Sequence, residues 1–179
     1  MKRSTSGAAL LLVLGSALAA CGYRPVHGGA PAEALHVVLS ESKVPDAIAS
    51  DEVLAGVREE LARRGSLASG GGFPRCEVEI LRADEQSEGI AAVADSAGRL
   101  APQSRATRIA LVARAWVLRA PGAERERDTG DVRAFETVAV AADARAGTFR
   151  QSDALRVAGR RVGRRLAGRI LGLPTPSDE

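Results

Sequence analysis

Aromatic side chains are scarce in this chain of 179 residues, which has one Trp, one Tyr and three Phe. A packed core must therefore be filled by Val, Leu, Ile and Ala. Histidine is as rare: His27 and His36 are the only two, and neither falls in a His-Glu-x-x-His spacing. Of two cysteines, Cys76 has no Cys or His at ligand spacing, so no metal site and no cofactor are expected. The sequence holds no Gly-x-Ser-x-Gly elbow, no Walker loop and no dinucleotide fingerprint. Gly70-Gly71-Gly72 lacks the Gly-Lys-Ser/Thr of a phosphate loop and reads as a connector. The carboxylate pairs Glu59/Glu60 and Glu77/Glu79 fit exposed faces of a helix and a strand, so the expectation is no catalytic residue and no enzyme. An apolar run long enough to cross a bilayer is missing as well, since the segment from Ala8 to Leu18 is too short.

That short segment carries the most specific signal. Met1-Lys2-Arg3 forms a basic start, the apolar stretch follows, and Leu18-Ala19-Ala20-Cys21 closes it with small residues before a cysteine. Leu-Ala-Ala-Cys is the lipobox pattern of bacterial lipoproteins, in which the cysteine thiol receives a diacylglyceryl group and the leader is removed before it. Residues 1–20 then form the signal peptide, and the mature chain starts at a lipidated Cys21. An ordinary secreted protein with Cys21 near its cleavage site is the other reading. Each buried methylene adds about 0.8 kcal/mol, so two or three acyl chains on one residue make a lasting anchor. Gly22 follows the cysteine. By resemblance to enterobacterial lipoproteins, where Asp at that position favours inner-membrane retention, this implies the outer membrane.

Loss of the leader also changes the charge. The full chain has 25 basic and 22 acidic side chains; without Lys2 and Arg3 the balance is 23 to 22, a formal +1. The sequence pI of about 9.4 is then no argument for a nucleic-acid partner, and none is expected. Cys21 is consumed by lipid, which leaves Cys76 without an intrachain partner. It sits in an alternating apolar pattern as a small buried side chain.

Residues 21–34, rich in Gly, Ala and Pro, read as a lipidated tether, residues 35–173 as one domain, and residues 174–179 as an acidic tail. Leu35 to Leu39 is the first strand. A helix follows, with Ser50 placed as its cap, an apolar stripe of Leu54, Val57 and Leu61, arginines 63 and 64 in its last turn, and Gly65 as stop. Cys76 to Glu85 alternates as a half-buried strand. The segment 86–104 extends that strand through Ile90 to Val93 or is mobile. Thr107 to Ala120 and Val132 to Ala142 form an antiparallel hairpin across a charged turn. Leu155, Ala158, Val162, Leu166 and Ile170 place a last helix over Ser152 to Leu171. The order β-α-β-β-β-α predicts an α+β fold, a two-layer sandwich with two helices on one face of a mostly antiparallel sheet of about four strands.

Two surfaces invite a binding role. On the last helix Arg156, Arg160 and Arg164 recur every fourth residue, with Arg161, Arg165 and Arg169 beside them; against Asp153 alone the segment 152–172 carries +5. Guanidinium forks suit phosphate and carboxylate, lipid A phosphates included. A solvated face, favoured by the helix dipole, accounts for the same pattern. Gly159, Gly163 and Gly168 on this helix permit close packing on the sheet. The second surface is the outward face of the Thr107 strand, where Arg108, Arg114 and Trp116 stand with Val112 and Leu118. It suits an amphipathic lipid or a partner wall, or is covered by a neighbouring loop.

Cys21-Gly22-Tyr23-Arg24-Pro25 directly after the lipobox resembles the Cys-Gly-Phe/Tyr start of LptE-type lipoproteins. So does the element order, the helix end Leu61-Ala62-Arg63-Arg64-Gly65 and the Arg/Leu/Ala-rich closing helix. The chain departs from that family in lacking an Asn-x-Thr stretch between Ser40 and Ser50, and in the few aromatics of its sheet. The resemblance implies a non-catalytic outer-membrane lipoprotein that plugs an LptD-like β-barrel, binds lipopolysaccharide, and is held to the membrane by its N-terminal lipid. It would face the periplasm or sit in the barrel lumen. A lipoprotein that acts as a protein–protein adaptor or activator in cell-envelope assembly is the alternative. A lipid-anchored hydrolase would need a polar triad that these residues do not supply.

Overall fold

The computed structural model describes residues 33–140 and 143–174. Cys21, the expected leader, the tether up to residue 32 and residues 175–179 of the acidic tail lie outside the described residues. Within them the order is β1 (His36–Ser42), α1 (Ala47–Arg63), β2 (Arg75–Ala94), β3 (Leu100–Leu118), β4 (Val132–Ala139) and α2 (Ala144–Ile170). This is the α+β arrangement read from the sequence, with a four-stranded sheet in the order β1-β2-β3-β4. β1 runs parallel to β2, as a strand joined through a crossover helix can, and the other two pairings are antiparallel.

Both helices begin earlier than their apolar stripes suggest. The α1 cap is Asp46, whose carboxylate accepts from the Ile48 N–H at 2.8 Å. Ser50 is not a cap; it is buried inside the helix with its hydroxyl 3.1 Å from that of Ser42. α2 starts at Ala144 behind the Asp143 cap rather than near Ser152. Its first two turns are largely exposed, so they carry no apolar period that would mark them as helix.

β2 and β3 form a long ribbon. β1 pairs with β2 only as far as Ile80, and β4 with β3 only as far as Ala106, while β2 and β3 stay paired out to Ala94 and Leu100. The segment 86–104 is thus the strand extension. At its tip the Asp95 carboxylate accepts from the N–H groups of Ala97 and Arg99. A bulge between Ile80 and Arg82 resets the alternation, so that Glu85 lies on the helix side and accepts from Gln151 of α2 at 2.9 Å.

Cys76, Val78 and Ile80 of β2, with Leu111, Ala113, Ala115 and Val117 of β3, face the helices in one core cluster. From the helices come Val53, Val57 and Leu61, and Ala158, Val162 and Leu166. Burial pushes the Cys76 thiol up to about 12, which keeps it protonated and unreactive at neutral pH.

The helices themselves meet through glycine. A Cβ on Gly56 would lie 2.5 Å from the Arg160 carbonyl oxygen, and one on Gly163 would collide with the Val53 carbonyl oxygen. Gly159 faces Ala49 and Glu52 less closely, its added Cβ lying 3.1 Å from the Glu52 Cβ and 3.4 Å from the Ala49 carbonyl oxygen. Gly159 and Gly163 therefore serve helix–helix contact rather than packing on the sheet, while a Cβ on Gly168 would meet nothing within 4 Å. Gly163→Ala is expected to destabilise by about 1–3 kcal/mol through overpacking. Gly168→Ala is expected to stabilise by about 0.5–1 kcal/mol by relieving a flexible residue in a helix interior. Urea unfolding of the two variants side by side checks both signs.

Candidate functional site

The arginines of α2 were the first candidates, and the fold divides them into three groups. One row points to the free edge of β4. Arg161 Nη1 donates to the Phe135 carbonyl at 2.5 Å, Arg165 Nη1 to that of Arg133 at 2.8 Å, and Arg169 Nη1 to that of Thr129 at 2.9 Å. Arg150 continues the row with a 3.1 Å bond to the Ala139 carbonyl. β4 is the last strand of the sheet, so alternate carbonyls turn away from β3 and have no strand to meet. For Arg161 and Arg165, arginine spacing of four along a helix matches carbonyl spacing of two along a strand, since each advances by roughly 6 Å, whereas Arg169 reaches Thr129 in the loop before β4. The ladder places a charged donor on these edge carbonyls, and Arg161 also pairs with Glu136 at 3.1 Å.

A second group faces α1. Arg160 Nε binds Glu52 at 2.6 Å, and Arg164 lies 3.9 Å from Glu59. The contacts step from Glu52 opposite Gly159 to Glu59 opposite Arg164, so α1 and α2 run side by side in the same direction. Arg156 is the third case: it is exposed, with no hydrogen bond or ion pair to another described residue.

The second candidate surface is the sheet face opposite the helices. Arg114 Nε and Lys43 Nζ each approach Glu79 at 2.8 Å, and Glu79 is nearly buried. The hydrogen bonds from Lys43 and Arg114 hold the Glu79 carboxyl below its ordinary value, and the same contact raises Lys43 and Arg114. Arg108 pairs with Glu88 at 2.8 Å and lies over the Phe135 ring at 4.5 Å. Trp116 is 2% exposed under the Arg125 guanidinium, 3.8 Å from its ring centroid, and its indole N–H has no partner among the described residues. Arg108, Arg114 and Trp116 thus share one face, and each has a partner there. Arg156, Arg160 and Arg164 belong to the opposite layer, so the six candidates do not converge on one site.

Glu79 was missed as a hub. The alternation of Glu77 and Glu79 marks a polar face, but the two cations come from residues 36 and 35 positions away, which spacing alone does not reveal. Among the described residues no group of three or more His, Cys, Asp or Glu side chains could hold a metal ion, and no helix is long and apolar enough to cross a membrane.

No protein-family model matches the sequence, and no curated protein does. Solved structures with a similar course of the chain include a minor lipoprotein from Acinetobacter baumannii, 8% identical, with a TM-score of 0.46 over 78% of this chain and 93% of that one. Uncharacterized lipoprotein B from Nitrosomonas europaea is 15% identical, with a TM-score of 0.39 over 77% of this chain and 84% of that one. Rare lipoprotein B from Shewanella oneidensis is 13% identical, with a TM-score of 0.37 over 76% and 91%. At these levels the likeness carries no argument about family or function.

Replacing Arg161, Arg165 and Arg169 together by Met keeps their length and removes the donors to the β4 edge. The triple variant is expected to lose about 1–3 kcal/mol and to self-associate, whereas a decorative ladder would leave it monomeric by sedimentation velocity. Glu79 gives a pH signature. Its folded pKa lies below the ordinary 4.5, so its contribution is complete above that value and is lost as pH falls through the lowered one. Glu79→Gln should therefore lose less stability than the parent chain between about pH 6 and about pH 3, read from urea midpoints.

Proposed function

We propose that the chain is an outer-membrane lipoprotein of the LptE type, a non-catalytic partner of an LptD-like β-barrel in lipopolysaccharide assembly. The observation that carries this reading is the lipobox ending at Cys21, followed at once by Gly22-Tyr23-Arg24-Pro25, ahead of a domain with the order β-α-β-β-β-α. The mechanism is positional. Lipid on Cys21 fixes the N-terminus in a leaflet, and two or three acyl chains make that attachment lasting. The two-layer domain then acts as a rigid body that fills space against the barrel wall. Its sheet is locked on one edge by the arginine ladder and pinned across its outer face by the Glu79 pairs.

Donor capacity ranks the arginines offered for lipopolysaccharide phosphates. Among the described residues Arg156 is uncommitted and Arg164 is held only by a 3.9 Å pair, while Arg160 is taken by Glu52. Arg108 and Arg114 serve the sheet face and would meet a ligand only by giving up Glu88 and Glu79.

The test is recovery of the native, lipidated protein from detergent-solubilised outer membrane, followed by mass spectrometry of what remains bound. A large β-barrel in stoichiometric amount is expected, with a diacylglyceryl-modified N-terminal peptide beginning at Cys21. Recovery with a soluble envelope protein and no barrel would instead support an adaptor role and sink the barrel reading.

A further inference from the structure

Where α1 ends, a groove of about 560 Å³ opens between it and α2. Arg63 and Arg64 line it from α1, and Arg161, Arg164 and Arg165 from α2. Gly168, Leu173 and Pro174 complete the lining. We propose that this groove binds a phosphate-bearing ligand, its phosphate between Arg64 and Arg164 and any apolar portion against Leu173 and Pro174. The site shares Arg164 with the lipopolysaccharide contacts offered above and deepens that part of the reading, but it does not depend on a barrel partner.

Charge is the first argument. Glu60 is the one acid in the lining among the described residues, and both its oxygens are spent, on Arg63 at 2.7 Å and Arg64 at 3.1 Å. Glu59 and Glu136 reach the lining arginines from outside it. Among the described residues, Arg63, Arg64, Arg161 and Arg164 meet Glu59, Glu60 and Glu136, and Arg165 adds a fifth guanidinium to a predominantly cationic lining, which suits a phosphate.

Donor geometry is the second. Arg64 gives its Nε to Glu60, which leaves both terminal nitrogens for a ligand, and Arg164 has only the long contact to Glu59. Arg161 and Arg165 are fixed by β4 carbonyls, so their side chains are already ordered before a ligand arrives. A Cβ at Gly168 would meet nothing within 4 Å, which leaves room beside the cations.

The helix dipole does not account for this cluster. It favours cations in the last turn, where Arg63 sits, but it fades within that turn, and Arg161, Arg164 and Arg165 precede the end of α2 at Ile170 by more than a turn. Nor does edge capping account for Arg164, which reaches no β4 carbonyl.

The experiment is isothermal titration of the full chain in non-ionic detergent. The probes are inorganic pyrophosphate, dihexanoyl phosphatidic acid and, as zwitterionic control, dihexanoyl phosphatidylcholine. Saturable binding of pyrophosphate and phosphatidic acid, and not of phosphatidylcholine, is expected. Phosphatidic acid binding about tenfold tighter than pyrophosphate identifies a lipid headgroup as the source, and equal affinity identifies a free phosphate compound. Arg164→Gln, which disturbs only the long pair, should weaken binding about tenfold or more, while Arg145→Gln, exposed in the first turn of α2 and away from the groove, should leave it unchanged. Arg64→Gln should repeat the loss. No saturable binding of either anion, or equal losses from Arg164→Gln and Arg145→Gln, would overturn the proposal. Either result leaves the barrel recovery experiment free to succeed or fail by itself.

Discussion

The close approach of α1 and α2 is the contact on which the other features rest. Gly56 and Gly163 let the two backbones touch, each standing where a methyl group would strike a carbonyl of the facing helix. That approach fixes the rotation of α2 about its axis. With Gly159 and Gly163 turned toward α1, Val162 and Leu166 go to the sheet, and the arginines at 161, 165 and 169 are carried to the β4 edge. Apolar packing then supplies most of the stability, at roughly 1.5–3 kcal/mol for each large aliphatic side chain fully buried. The glycines decide which helix face receives it.

Parallel neighbours have an electrostatic consequence. Two helices running side by side bring their negative ends together, an arrangement that by itself is unfavourable. Arg63, Arg64 and Arg169 near those ends offset it, and the Glu59 and Glu60 carboxylates, one turn inward, keep the arginines from repelling each other. The basic character of this region is therefore partly structural. What exceeds that need, in Arg164 and the unused nitrogens of Arg64, is available to a ligand.

The architecture was largely legible in the sequence because its signals are local. Alternation in Cys76-Glu77-Val78-Glu79-Ile80 and the helical period of Leu155 to Ile170 report which face is buried, and both faces are as read. The starts of the helices were not, because Asp143 caps turns whose side chains are mostly exposed, and the first turn after Asp46 buries only the small side chains of Ala49 and Ser50. The candidate site was harder for a different reason. Arg161 and Arg160 are adjacent in sequence, yet one caps a strand and the other pairs with α1. No pattern within α2 separates them; the separation comes from two different neighbours, each supplied by a distant part of the chain. Glu79 hides in the same way, as its cations arrive from β3 and from the loop after β1.

The arginine ladder also bears on how copies of this chain can meet. Growth of a continuous sheet through many molecules needs two vacant borders on each, one to receive and one to offer. With guanidinium groups seated along β4, head-to-tail addition through the four-stranded part of the sheet has lost one of its two halves. Within that part, pairing of two β1 borders about a two-fold axis would join two molecules and then stop, because a two-fold contact closes on itself. The row of arginines thus acts as a stop at the β4 border, built from a helix rather than from the strand it protects.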